Sequence, residues 1–130
     1  MRYVSCRPDF LILCYPVIST DKDIYHGNCF KKLLGDDPAQ ELLDYFSNDR
    51  HVTAQTPPAF LVHTSDDKVS AENSIRSYLA LKKAGVPAEM HIYEERGHGY
   101  GIRDAKMPAS SWPDRCFDWM KSRGLLDKRI

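Results

Sequence analysis

A chain of 130 residues has room for one domain with a modest core, and 42% hydrophobic with 28% charged residues describes a soluble globular protein rather than a disordered one. Eighteen Lys plus Arg balance eighteen Asp plus Glu, so nothing in the charge supports a nucleic-acid partner. No apolar run approaches the length of a helical membrane span, so no membrane partner is expected either.

In chain order, residues 1–7 form a poorly defined leading segment, and Met1–Cys6 carries no signal-peptide pattern. Phe10–Ile18, "FLILCYPVI", is nearly continuous in apolar residues and predicts a strand buried on both faces of a parallel sheet. "STDKDIYHGNCF" then reads as an excursion over the sheet edge. Ala39, Leu42, Leu43 and Phe46 recur at helical spacing within Asp37–Asp49, behind Asp36, Asp37 and Pro38, and predict an amphipathic helix.

Pro57 and Pro58 interrupt the chain before a short buried strand, Ala59–His63. Ser70 is placed to cap a helix over Ala71–Ala84 whose inner face carries Ile75, Tyr78 and Leu79, with Gly85 and Pro87 ending it. Ala88–Glu95 alternates apolar and polar residues as a strand nearer the edge does. After a loop over Arg96–Ser110, Ser111 is placed to cap a last helix with Trp112, Cys116, Trp119 and Met120 on its apolar face and Gly124 at its end. Strands alternating with helices imply a parallel α/β sheet with right-handed crossovers, in one domain over 1–130.

Functional groups in such sheets gather beyond the carboxyl ends of the strands. Two polar clusters, "HTSDD" (63–67) and "RGHGYG" (96–101), fall at that end of successive strands. A carboxylate from Asp66 or Asp67 can there accept the Nδ1 proton of His98, which leaves the other ring nitrogen free as a general base. Taken singly, an Asp pair is a turn signal and a His among glycines is inert; it is their joint placement that points to catalysis. His26, His51, His63 and His91 read as structural or solvated. No spacing argues for a metal site, and no cofactor is expected. Cys6, Cys14, Cys29 and Cys116 lack paired spacing and read as reduced, mostly buried thiols, which points to the cytoplasm.

The stretch "PPAFLVHTSDDKVSAENSIRSYLALKKAGVPAEMHIYEERGHGYG" resembles the C-terminal part of an α/β-hydrolase of the bacterial acetylxylan-esterase-like, dienelactone-hydrolase-related group, itself similar to prolyl-oligopeptidase-type catalytic domains. The similarity extends through "RPDFLILCYPVI", "LLGDDPAQELLDYFSNDRHVTAQTPP" and "SSWPDRCFDWMKSRGLL", from about Pro8 to Leu126. It implies a triad acid three residues before Val69, at Asp66, with Asp67 as the alternative, and a catalytic base at His98.

The resemblance also implies a nucleophile on a G-x-S-x-G turn, and none of the ten serines in this sequence stands in that setting. The expectation is therefore the C-terminal half of a serine ester hydrolase, with the N-terminal strands and the nucleophile turn absent. Such a chain would be inactive alone. Its substrate in a longer protein would be a small ester such as an acetylated carbohydrate, with a short peptide as the alternative. The other expectation is an inert half-domain that self-associates or pairs through the exposed edge of its first strand. Relatives of this kind occur both inside cells and exported, so the resemblance leaves the compartment open.

Overall fold

The computed structural model describes residues 4–127. In chain order come β1 (Leu11–Cys14), α1 (Gly27–Leu34), α2 (Gln40–Phe46), a 3₁₀ turn (Asn48–Arg50), β2 (Ala59–Thr64), α3 (Glu72–Lys83), β3 (Ala88–Tyr93), a second 3₁₀ turn (Pro108–Ser111) and α4 (Trp112–Ser122). The three strands form one parallel sheet in the order β1-β2-β3, as the alternation of strands and helices predicts. Leu11 pairs with Ala59 and Ala59 with Ala88, so β2 has a partner on both edges.

Every residue of β2 is buried. Its side chains alternate, so each face of the sheet acquires its own core. Ala59 and Leu61 pack with Leu81 and Val86 beneath α3, and partly buried Leu11, Leu13 and Met90 join them. Phe60 and Val62 pack with Cys116 and Trp119 of α4, flanked by Phe10, Tyr93 and Met120. The apolar face expected for the last helix is thus the one it buries.

Helix α3 ends where Gly85 adopts φ +72, a conformation that costs glycine no steric penalty. The Gly85 amide then donates to the Lys82 carbonyl (3.1 Å) and the Val86 amide to the Leu81 carbonyl (2.9 Å), while Leu81 and Val86 share one core cluster. That is a Schellman cap with its hydrophobic contact. Helix α4 stops in the same way at Gly124, through Lys121 and Met120.

Several expectations are corrected. The first strand stops at Cys14 rather than Ile18, because Tyr15 turns to φ +41 and Pro16 offers no amide to a ladder. Beyond it the Ile18 and Ser19 amides leave the sheet and donate to Asn73 Oδ1 of α3, 2.9 Å each. Among the described residues strand β1 pairs on one edge only, and it is half-buried, with Ile12 38% exposed, rather than buried on both faces. The excursion contains α1, whose one buried residue, Phe30, stacks on Tyr25 at 5.1 Å. The helix expected over Asp37–Asp49 breaks at Ser47, which is buried and takes the Thr20 amide on its hydroxyl, and α2 buries no residue.

The inner face of α3 is Asn73, Ser74, Ser77 and Leu81, while Ile75 and Leu79 face outward. These buried polar groups are bonded, Asn73 to the chain after β1 and Ser77 Oγ to the Asn73 carbonyl, so hydrogen bonding rather than apolar burial orients the helix. Neither expected serine cap forms a standard cap. Ala71 holds that position for α3, although Ser70 Oγ accepts the Glu72 amide, and Ser111 Oγ donates to the Pro108 carbonyl instead. The thiols are free, but Cys6 and Cys29 are exposed and only Cys116 is buried; burial pushes the Cys14 and Cys116 thiols up.

Replacing Asn73 by Ala strands two buried amides and is expected to cost about 1–3 kcal/mol for each. Leu79→Ser, on the exposed face, should stay within about 0.5 kcal/mol of the parent. Urea denaturation of the two variants checks the orientation of α3; equal losses would contradict it.

Candidate active site

The carboxyl ends of all three strands meet on one rim. Strand β2 runs into Ser65, Asp66 and Asp67, and β3 runs into the loop that carries His98. The Ser65 amide closes the parallel pair by donating to the Tyr93 carbonyl at 2.8 Å. Tyr15, at the end of β1, sets the edge of its ring against His98, with centroids 4.8 Å apart.

The His98 loop is tied down mainly by β2 and the turn that follows it. Thr64 Oγ1 donates to the Gly97 carbonyl at 2.8 Å. The Arg96 amide donates to both oxygens of Asp66 (3.0 and 3.1 Å), and the Gly97 amide donates to Oδ1 at 2.8 Å. Gly97 and Gly99, at φ +65 and +68, bend the chain on either side of the histidine with no atom in the way. The glycines in "RGHGYG" therefore set the direction of the ring.

His98 Nδ1 meets Asp67, at 2.9 Å from Oδ2 and 3.1 Å from Oδ1. The carboxylate on the imidazole is thus Asp67, not Asp66. The reason is directional: Asp67 turns inward, its side chain fully buried and its Oδ1 accepting the Val69 amide at 2.8 Å. Asp66 faces out toward the loop backbone. The Gly97 amide, and after it the Arg96 amide, hold the Asp66 carboxyl below the usual carboxylate range. The expected meeting of the strand ends is present, with Asp67 on the ring and Asp66 on the loop backbone.

The ring of His98 is 46% exposed, and Nε2 has no hydrogen-bond partner among the described residues. One nitrogen is thus anchored to a buried carboxylate and the other is open to a reacting group. With Nδ1–H bonded to Asp67, Nε2 is the basic nitrogen, and a proton taken there leaves an imidazolium on a carboxylate. Tyr100 packs against Tyr15 (5.2 Å) behind this pair, and burial pushes its hydroxyl well up from the ordinary tyrosine value. Two clefts lie away from His98. One of about 410 Å³ runs between β1 and α3, past Leu13, Ile18 and Leu81, and another lies beside Thr20, Asp21 and Arg50. Neither includes His98.

Two residues of this rim are not singled out by the sequence reading. Tyr15 falls inside the apolar run Phe10–Ile18, where nothing marks it. His63 is fully buried directly under Asp67, with Nε2 3.3 Å from Oδ2. The signal for it is a His–x–x–x–Asp spacing that starts inside a strand and ends just past it. His26, His51 and His91 lie away from the rim; His91, for example, bonds to Glu89 at 2.8 Å.

A parallel sheet covered by helices on both faces, with an aspartate–histidine pair beyond the strand ends, defines the class as α/β-hydrolase, of which this chain carries part. The chain belongs to the prolyl oligopeptidase family (Peptidase_S9), matched over residues 15–123. The endo-1,4-beta-xylanase B of Butyrivibrio fibrisolvens is 38% identical over 100 residues, 76% of this chain and 16% of that protein. The acetylxylan esterase of Xylanibacter ruminicola is 34% identical over 107 residues, 78% of this chain and 22% of that protein. Among solved structures, an acetyl ester-xyloside bifunctional hydrolase from Caldicellulosiruptor lactoaceticus superposes with a TM-score of 0.89 at 44% identity, covering 93% of this chain and 44% of that one. Ester hydrolases are thus among its relatives, and the chain spans less than half the length of each of these three.

A depressed carboxyl stabilises the fold above the unfolded aspartate pKa, near 4, and loses that contribution as pH falls through the lower folded value. The Arg96 and Gly97 amide signals in NMR should therefore shift together with a midpoint below about 4, as protonation of Asp66 releases the loop. Asp66→Asn should remove the transition. A midpoint above the ordinary aspartate value would contradict the clamp.

Proposed function

We propose that Asp67 and His98 are the acid and base of a serine ester hydrolase, and that the serine comes from a part of the fold these 130 residues do not include. The observation that carries this reading is the buried Asp67 carboxylate on Nδ1 of a half-exposed His98 whose Nε2 is open. In the complete enzyme, Nε2 takes the serine Oγ proton as Oγ attacks the ester carbonyl. It then returns that proton to the departing alcohol, and repeats the cycle with water on the acyl-enzyme. Asp67 stays ionised throughout and stabilises the imidazolium. Asp66 acts on the loop, not on the ring.

A small acyl group on a carbohydrate is the substrate class this reading favours, because two of the relatives named above are an acetylxylan esterase and an acetyl ester-xyloside hydrolase. A short peptide, suggested by the family's name alone, is the weaker choice. The chain alone is expected to be inert, since it holds neither a G-x-S-x-G serine nor an oxyanion-hole loop identified with it.

Complementation tests the assignment. The chain is mixed with, or fused behind, the N-terminal part of an α/β-hydrolase carrying G-x-S-x-G, and p-nitrophenyl acetate hydrolysis is followed. The chain alone should remain at background. In the complemented protein Asp67→Asn should lower kcat by roughly 10⁴-fold, the scale seen when a triad aspartate is replaced. His98→Ala should abolish turnover, while Asp66→Asn has the smaller effect. Full activity in Asp67→Asn would refute the assignment, and turnover by the chain alone that His98→Ala abolishes would refute its inertness.

A second reading, association through β1, is favoured by a specific observation. Among the described residues that strand has an unpaired edge, Ile12 is 38% exposed, and the apolar cleft with Leu11, Leu13 and Ile18 lies beside it. Sedimentation velocity should show self-association of the isolated chain that Ile12→Lys reduces; a monomer at all concentrations would remove this reading.

A further inference from the structure

Beneath the Asp67–His98 pair lies a second histidine that the reaction described above does not use. We propose that His63 is a positioning residue for Asp67, an imidazole whose Nε2–H holds the Val69 carbonyl while its ring packs beneath Oδ2, so that the turn carrying Asp67 and Val69 fixes the carboxylate against His98. The side chains of both His63 and Asp67 are fully buried, and His63 Nε2 lies 3.3 Å from Oδ2. The same nitrogen is 2.9 Å from the Val69 carbonyl, which can only accept, so Nε2 carries a proton. On the other side, Nδ1 sits 2.9 Å from Ser74 Oγ of α3.

Burial above all lowers the His63 pKa and so favours the neutral ring, although Asp67 and the Val69 carbonyl oppose the shift. A neutral ring with its proton on Nε2 has an Nδ1 lone pair that accepts the Ser74 hydroxyl. The charged groups that face it are Asp67 and, across that carboxylate, His98. A neutral His63 supports the turn that carries Asp67 without adding a cation, so the carboxylate's charge remains available to His98. The Val69 amide holds Oδ1 and His63 holds the carbonyl of that same residue, so the carboxylate is set before His98 binds. The same arrangement explains the inward polar face of α3: Ser74 is buried because it carries the far end of this support.

The catalytic consequence rests on the acid–base reading of Asp67 and His98; the geometry does not. The test is imidazole NMR of the isotope-labelled 130-residue chain. In the parent, His63 should be protonated on Nε2 and unprotonated on Nδ1 between about pH 5 and 8, and His98 should show a slowly exchanging Nδ1–H signal. His63→Leu should lose that His98 signal to water exchange, and His63→Gln, which keeps an N–H donor, should restore it. An unchanged His98 signal in His63→Leu would overturn the proposal. So would a parent His63 protonated on Nδ1. Should the leucine variant not fold, the parent tautomer and the glutamine variant decide the matter. In the complemented hydrolase, His63→Leu should lower kcat and leave KM unchanged. If the NMR results hold while complemented protein shows no His98-dependent turnover, the hydrolase reading fails and the positioning role stands.

Discussion

The backbone of Ala59–Thr64 is paired on both edges and its side chains are packed on both faces, so the central strand has almost no freedom of position. Close-packed interiors transmit such a constraint rather than absorb it. Whatever leaves the carboxyl end of β2 therefore leaves in a fixed direction. Thr64, Asp66 and Asp67 all do so, and between them they hold the His98 loop at its backbone and at its ring. The accuracy of the rim derives from the strand beneath it.

The two aspartates show how adjacent, chemically identical residues acquire different work. Direction alone separates them. Asp67 is turned under the ring, loses its solvent and meets the donors of Val69 and His98, with His63 close beneath. Asp66 stays exposed and gathers two backbone amides. A buried carboxylate must be bonded to remain charged, whereas an exposed one can organise a loop at little cost. Loop and ring are thus held by separate carboxylates.

Much of the architecture was legible because punctuation marks it: Pro57–Pro58 before β2, Gly85 and Pro87 after α3, Gly124 after α4. The pairing of "HTSDD" with "GHG" followed from topology, since parallel strands bring their ends together. What could not be read were outcomes that depend on partners distant in sequence. Apolar spacing put Ile75 and Leu79 of α3 inward, yet Asn73 and Ser74 are buried because Ile18, Ser19 and His63 need hydrogen bonds there. Helix α1 buries only Phe30, too little periodicity to announce itself. The choice between Asp66 and Asp67 turned on a single residue of phase at a strand end, which no pattern of residue types encodes.

Because Thr64 and Asp66 hold the loop and Asp67 holds the ring, the hydrogen bonds that set the pair all lie within the stretch from His63 to His98. At the pair itself, the end of β1 adds only the edge of the Tyr15 ring. Such a segment behaves as a portable cassette. Grafted onto another parallel sheet that accepts β2 and β3 and replaces the packing of β1 and α4, it would bring its aspartate–histidine pair already assembled.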